Sequence, residues 1–356
     1  MKNKMMITAL MLLTSGADAA TIYNHDGNKL DFYGSVRGRH YFSTKSSQDG
    51  DFSYVRLGFK GQTKITDTLT GYGQWEYQAQ ANTDEATGSS GDKTRLGFAG
   101  LKSKQWGSID YGRSYGVYYD LASITDFAPI YDVLGDSYVD NFMTSRANGL
   151  LTYRNNNFFG LTDKLIFAVQ YQGANDQGEN NGSRSVYNGN GDGYGASAEW
   201  KVTNDFSLVT AAANSRRTDQ QNALALGDGK HAEIWGVGVK YSPGQFYNAV
   251  KYSQGQNITP IKGYGYANKS EIFEAYSQYT FLNGFSPSVG YFYASGKDIE
   301  GHGDVTLQKY VDAAVRYYFN KNMSVYADYR INLLSKQTPF GILTDDTTGL
   351  GITYQF

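Results

Sequence analysis

The chain has no cysteine, which excludes disulfide bridges, cysteine-held structural zinc and thiol nucleophiles together. It also has no run of roughly 18 apolar residues, so no segment qualifies as a membrane-spanning helix. The longest apolar stretch, Met5 to Leu13, is far too short. Four histidines (His25, His40, His231, His302) lie scattered, with neither metal-ligand spacing nor a nucleophile motif beside them. Neither sign of charge dominates: 32 basic residues stand against 34 acidic ones, a net charge of −2 that gives no support to nucleic-acid binding. No metal, cofactor or catalytic centre is indicated.

What is present begins with a leader. Lys2 and Lys4 precede the apolar run, and Ala17-Asp18-Ala19 forms a small-x-small cleavage site. Residues 1–19 are therefore expected to be a cleaved secretory signal, leaving a chain that starts at Ala20 with net charge −3. Residues 20–356 are expected to form one domain, because no composition break divides them. Glycine at 42, tyrosine at 31 and phenylalanine at 19 describe strands and aromatics in a chain that is polar on average. A soluble all-β protein looks like this, and so does a transmembrane β-barrel, half of whose strand residues face a polar lumen.

Strand-like alternation recurs along the whole chain. Phe32, Gly34, Val36 and Gly38 alternate with Tyr33, Ser35, Arg37 and Arg39. Val55, Leu57 and Phe59 oppose Tyr54, Arg56 and Lys60. Trp75 and Tyr77 oppose Gln74 and Glu76, and Leu96 and Phe98 oppose Arg95 and Gly97. Further on, Trp235, Val237, Val239 and Tyr241 alternate with Gly236, Gly238 and Lys240, while Val325, Ala327 and Tyr329 oppose Tyr326, Asp328 and Arg330. Alternation alone does not separate a sandwich from a membrane barrel. The connections do: short turns (66–68, 203–205, 242–244, 320–322) take turns with long polar loops (43–51, 82–92, 174–191, 215–230, 254–270). Short turns at one end and long external loops at the other suit an outer-membrane barrel, and the strands count to about 16, an even number. In a soluble core Arg56, Arg95, Asp312, Asp328 and Arg330 would be costly, whereas a water-filled lumen accepts them.

One connection differs from the rest. Arg113 to Arg146 is too long for a turn, yet Tyr115, Tyr118, Tyr119, Phe127, Ile130 and Leu134 give it apolar surface to pack. It also carries Asp120, Asp126, Asp132, Asp136 and Asp140, with arginines only at its ends. It reads as an acidic, packed loop folded back into a cavity.

The stretches YNHDGNKLDFYG from Tyr23, RLGFKGQTKI from Arg56, TRLGFAGLK from Thr94, IDYGRSYGV from Ile109, TYRNNNFFGL from Thr152 and the terminal TYQF closely resemble the enterobacterial general diffusion porins. The likeness covers essentially the whole mature chain in order, and differences concentrate in the long loops. It implies a homotrimer of 16-stranded antiparallel barrels in the cell outer membrane, with short periplasmic turns and the third external loop, 113–146, folded into the lumen as a constriction. It implies passive passage of ions and small hydrophilic solutes, contact with outer-membrane lipid and lipopolysaccharide, and external loops open to phages and bacteriocins. Phe356 matches the family's signal to the barrel-assembly machinery. By motif, the basic side of the constriction falls on Arg56, Arg95 and Arg146 with Lys93 nearby, and the acidic side on Asp126 and Asp136. Tyr54, Tyr115 and Tyr119 match aromatic lining positions. Glu85 and Arg113 match an ion pair between neighbouring subunits.

Two departures bear on selectivity. Where the family has PEFGG, this chain has Pro129-Ile130-Tyr131-Asp132-Val133, so Ile130 replaces a loop carboxylate that Asp132 stands near enough to substitute. Ser35 replaces a lysine after Tyr33-Gly34, while Arg37 and Arg39 add basic groups on the same face. These changes predict a weaker cation preference than is typical of the family. A sugar-selective channel is the runner-up reading. An outer-membrane hydrolase would need a serine, a histidine and a polar orienter together, and nothing singles out such a set.

Overall fold

A computed structural model describes residues 19–86, 88, 91–130, 134–176 and 184–356. The expected leader, apart from Ala19, lies outside the described residues, as does Asp132. Alternation and turn chemistry produce sixteen main strands, each antiparallel to the next. They are β1 (Asn28–Phe42), β2 (Tyr54–Lys64), β3 (Leu69–Gln80), β4 (Lys93–Ser103), β5 (Gly107–Tyr115), β6 (Arg146–Asn155), β7 (Leu165–Gln172) and β8 (Gly193–Lys201). The second half comprises β9 (Phe206–Arg216), β10 (His231–Tyr241), β11 (Phe246–Gln256), β12 (Lys269–Tyr279), β13 (Phe285–Ile299), β14 (Gly303–Tyr318), β15 (Met323–Asn332) and β16 (Thr347–Gln355).

The sheet closes on itself because β16 pairs with β1, from Ser35 opposite Gln355 to Phe42 opposite Thr348. Closure leaves no free edge to pair with another chain. The seam is completed by both termini. Phe356 exchanges backbone bonds with Gly34 in both directions (2.9 and 3.0 Å), and its ring lies 5.3 Å from that of Phe32. Just beyond, Ala20 stands opposite Phe32, and the strand Ala20–His25 runs on along β1. The first residue of the expected mature chain thus continues the wall where the last residue leaves it.

The two faces follow the alternation. Trp75, Val169, Trp235, Val237 and Tyr317 are exposed on the outside, whereas Glu76, Gln78, Gln170, Asp312 and Asp328 are buried on the inside. A soluble β-protein buries its apolar face; here that face is the outer one, as a barrel in lipid requires. One expected alternation fails locally. The register shifts between Glu76 and Tyr77, which face Leu96 and Thr94 and leave Arg95 as a bulged extra residue. Leu96 therefore stands opposite Glu76 and is buried, not turned outward with the lipid-facing residues. A bulge re-aims a side chain, and this one delivers Arg95 into the interior.

Candidate functional site

The connection between β5 and β6 enters the barrel. Its two legs run side by side at the start, where Gly116 N donates to Ser145 O (2.8 Å) and Tyr118 N to Met143 O (3.3 Å). A single helical turn, Tyr119–Ala122, and a 3-10 turn, Ser123–Thr125, follow. Leu121, Ala122 and Ile124 are buried against Ala211, Ala213 and Ala249 of the wall. Gly236 and Gly238 make room for them: a Cβ on Gly236 would stand 2.6 Å from Leu121, and one on Gly238 2.5 Å from Ile124. The Trp235-Gly236-Val237-Gly238 pattern is thus large toward lipid and empty toward the loop.

Polar anchors hold the same loop from β6 round to β15. Asp120 accepts from Ser197 (2.5 Å) and from Arg154 (3.0 Å). Tyr118 donates to Ser253 (2.6 Å) or Asp136 (2.8 Å), and Tyr247 donates to the Ile124 carbonyl (2.7 Å). Glu274 accepts from Thr125 (2.6 Å) and from Gly135 N (2.8 Å), and Asp328 accepts from Ile130 N (2.9 Å). Between them Lys251 reaches both Asp136 (2.5 Å) and Glu274 (3.1 Å), all three side chains fully buried. These contacts belong to the inner face of the wall, so the loop lies in the lumen.

The loop's aspartates separate into different environments. Asp136, expected on an acidic wall facing the lumen, is buried with Lys251, Ser253 and Tyr118, which take up its oxygens. The sequence shows its charge but not the lysine on β11 that consumes it. Asp126 is half-buried and accepts from Tyr119. Burial and the Asp126 carboxylate push the Tyr119 phenol well above its ordinary value, so it remains a donor. Asp140 is paired with Arg113 (2.6 Å). Ile130, in place of the missing carboxylate, is buried against Tyr326 with Tyr41 alongside.

Across the lumen stands a basic wall. Arg95 Nε donates to Glu76 (2.5 Å), Arg56 lies 3.8 Å from the same oxygen, and Tyr33 donates to the other (3.1 Å). Arg56 also donates to Gln78 (3.0 Å) and to the Tyr54 hydroxyl (3.3 Å). Arg37 and Arg39 lie 5.7 and 4.7 Å from the centre of the Tyr54 ring. Lys93 stands opposite Gln78, the residue that accepts from Arg56. Arg146 lies over Tyr115, whose ring stacks on Tyr119 at 4.5 Å, so the basic and loop sides meet there. Glu85 is exposed in the turn after β3, apart from this cluster, and Arg113 bonds within its own chain to Asp140 and Asn148. Sequence reasoning placed Glu76 on the polar face without a role, and it overlooked Lys251 and Glu274; the one available signal was charge at the inward phase of otherwise apolar strands.

The barrel interior thus carries arginines on β1, β2 and β4 and a loop that bears Asp126. The family model described as Gram-negative porin matches residues 25–356. Outer membrane porin C of Enterobacter cloacae is 50% identical over 99% of this chain and 98% of its own length. Outer membrane porin PhoE of Escherichia coli K12 is 47% identical, with all of both chains covered. Among solved structures, OmpF of Salmonella typhi in complex with daunomycin is 43% identical and superposes with a TM-score of 0.86, over 95% of this chain and all of that one.

Proposed function

The chain belongs to the Gram-negative porins, and we infer from that membership and from its charged lumen that it is an outer-membrane pore for passive diffusion of ions and small hydrophilic solutes. The observation that carries the reading is the inversion of faces: ionised side chains line the inside and apolar ones the outside. A path with carboxylates and guanidinium groups on facing walls exerts a transverse field that orients dipolar solutes, and the low-dielectric wall strengthens it. In this reading Arg56, Arg95, Arg146, Lys93 and Arg37 are the basic side, Asp126 the acidic side, and Tyr54, Tyr115 and Tyr119 the lining between them.

Because Asp136 is neutralised within the wall and Ile130 brings no charge, the acidic side is weak among the described residues, and cation preference is expected to fall below the family's norm. The protein works as a homotrimer whose Phe356, fixed at the seam, serves barrel assembly, and whose outer surface meets lipid and lipopolysaccharide. Single-channel recording of the detergent-extracted protein in a planar bilayer tests this. Ohmic conductance closing in three equal steps is expected; a folded barrel that passes no current overturns the reading. A reversal potential in a salt gradient that reports strong cation selectivity overturns the part concerning charge.

A further inference from the structure

Tyr54 has three arginines around one ring. Its side chain is buried, and the guanidinium carbons of Arg39, Arg56 and Arg37 lie 4.7, 5.1 and 5.7 Å from its centroid. Like charges this close repel, and the ring quadrupole offsets only part of that repulsion. Among the described residues, nearby carboxylates do not balance the group. Glu76 is held at 2.5 Å by Arg95 and stands 3.8 Å from Arg56. Asp126 belongs to the loop across the lumen and accepts from Tyr119. Arg39 spends its Nε on the Phe52 carbonyl (2.9 Å). Arg37 makes neither a hydrogen bond nor an ion pair among the described residues, and its Nε is buried without a partner.

The group also continues round the wall. Arg39 stands opposite Gly351, Gly351 opposite Tyr326, and Tyr326 opposite Arg316, one row across β1, β16, β15 and β14. Arg316 lies 5.5 Å from the Tyr326 ring and donates to the Tyr318 hydroxyl (3.0 Å). Toward the loop the row meets Asp328, which is engaged by Ile130 N.

Guanidinium groups that lie against a ring keep their donor edges in a fixed plane, which suits a carboxylate or phosphate approached edge-on. Several such groups around one point favour a solute with several negative groups, since a monoanion engages a single fork. We propose that the Arg37–Arg39–Arg56 group on Tyr54 is a binding site for small oligoanions, the tri- and dicarboxylates and phosphate esters, which dwell there during passage. This rests on the reading of the lumen as an open pore, and it adds a preferred solute class to a passive path.

The probe is citrate, added to one side of a bilayer holding the trimeric protein, with formate at matched ionic strength as the monoanion control. Citrate is expected to interrupt chloride current in a concentration-dependent way where formate does not. The half-blocking concentration is expected to rise at least tenfold in Arg37→Gln/Arg39→Gln. Current in which citrate and formate act alike overturns the site while leaving the pore reading intact, and needs no variant to fold. Citrate block unchanged in the double variant also overturns it. The absence of any current overturns the pore reading and this inference with it.

Discussion

The two walls of the lumen use charge in opposite ways. On the wall of β1 to β4, Arg37, Arg39 and Arg56 rest on Tyr54 while only Arg95 and Arg56 reach Glu76, so among the described residues positive charge is left over there. On the wall of β8 to β12 the loop covers the surface, and Lys251, Asp136 and Glu274 are sealed beneath it. There the charges bind one another and the loop, and they add little to the field in the water. Charge on an inward-facing strand position is therefore a poor guide to charge in the path; the partner decides.

Breaking the sealed wall should have the largest effect. Lys251→Met leaves two buried carboxylates without their cation, a loss of about 3–5 kcal/mol. Denaturant unfolding of the detergent-solubilised protein measures it, and Lys251→Met/Asp136→Asn/Glu274→Gln is expected to regain much of the loss, because no unpaired charge remains. A small effect of the single change would mean that Lys251 does not hold the loop. The same operation on the open wall, Arg95→Gln, is expected to cost less, about 1.5–3 kcal/mol, the range for a hydrogen bond to a charged group. Glu76 keeps Tyr33 at 3.1 Å and Arg56 close by, whereas the Lys251 carboxylates have no second cation among the described residues. Equal losses at both walls would erase the contrast.

The aspartates sharpen it further. Asp136→Asn is expected to lower stability by about 1–3 kcal/mol through the weakened bonds to Lys251 and Ser253, with the reversal potential in a salt gradient nearly unchanged. Asp126→Asn is expected to do the reverse, moving the reversal potential toward anions with little change in unfolding. If both variants shift selectivity equally, Asp136 reaches the water and the division of roles fails.

Much of this was legible in the chain. Period-two alternation predicts the inner and outer faces of strands such as Val325 to Arg330, because a strand has only two sides to offer. The exclusion of soluble packing was legible too, in Arg56 and Asp328 at inward positions. Arg95 does face inward, but Leu96 and Phe98, opposite Glu76 and Gln74, were assigned the wrong side, because a bulge adds a residue and reverses the phase without any mark in the sequence. The burial of Asp136 was not legible, since it depends on Lys251 more than a hundred residues away meeting the loop. Ile130 was recognisable as a lost carboxylate, whereas its packing against Tyr326 depends on where the loop tip lands.

The smallest effect concerns the outside of the barrel, where the resemblance pairs Glu85 with Arg113 of a neighbouring subunit. Arg113 already has two bonds to Asp140 (2.6 and 3.1 Å) and one to Asn148 within its own chain. A carboxylate arriving from a neighbour would share a guanidinium that is already satisfied, and Glu85 lies exposed in a turn, where side-chain entropy and salt oppose a fixed pair. Glu85→Gln is therefore expected to weaken the trimer by only about 0–1 kcal/mol, read as a small drop in the temperature at which trimers dissociate on a gel, and less again in high salt. Arg113→Ala is expected to do more, because it also frees Asp140 and unties the loop's end from β5. Dissociation of Glu85→Gln trimers at as low a temperature as those of Arg113→Ala would show that Arg113 acts mainly across the subunit boundary, and that its bonds to Asp140 are secondary to that role.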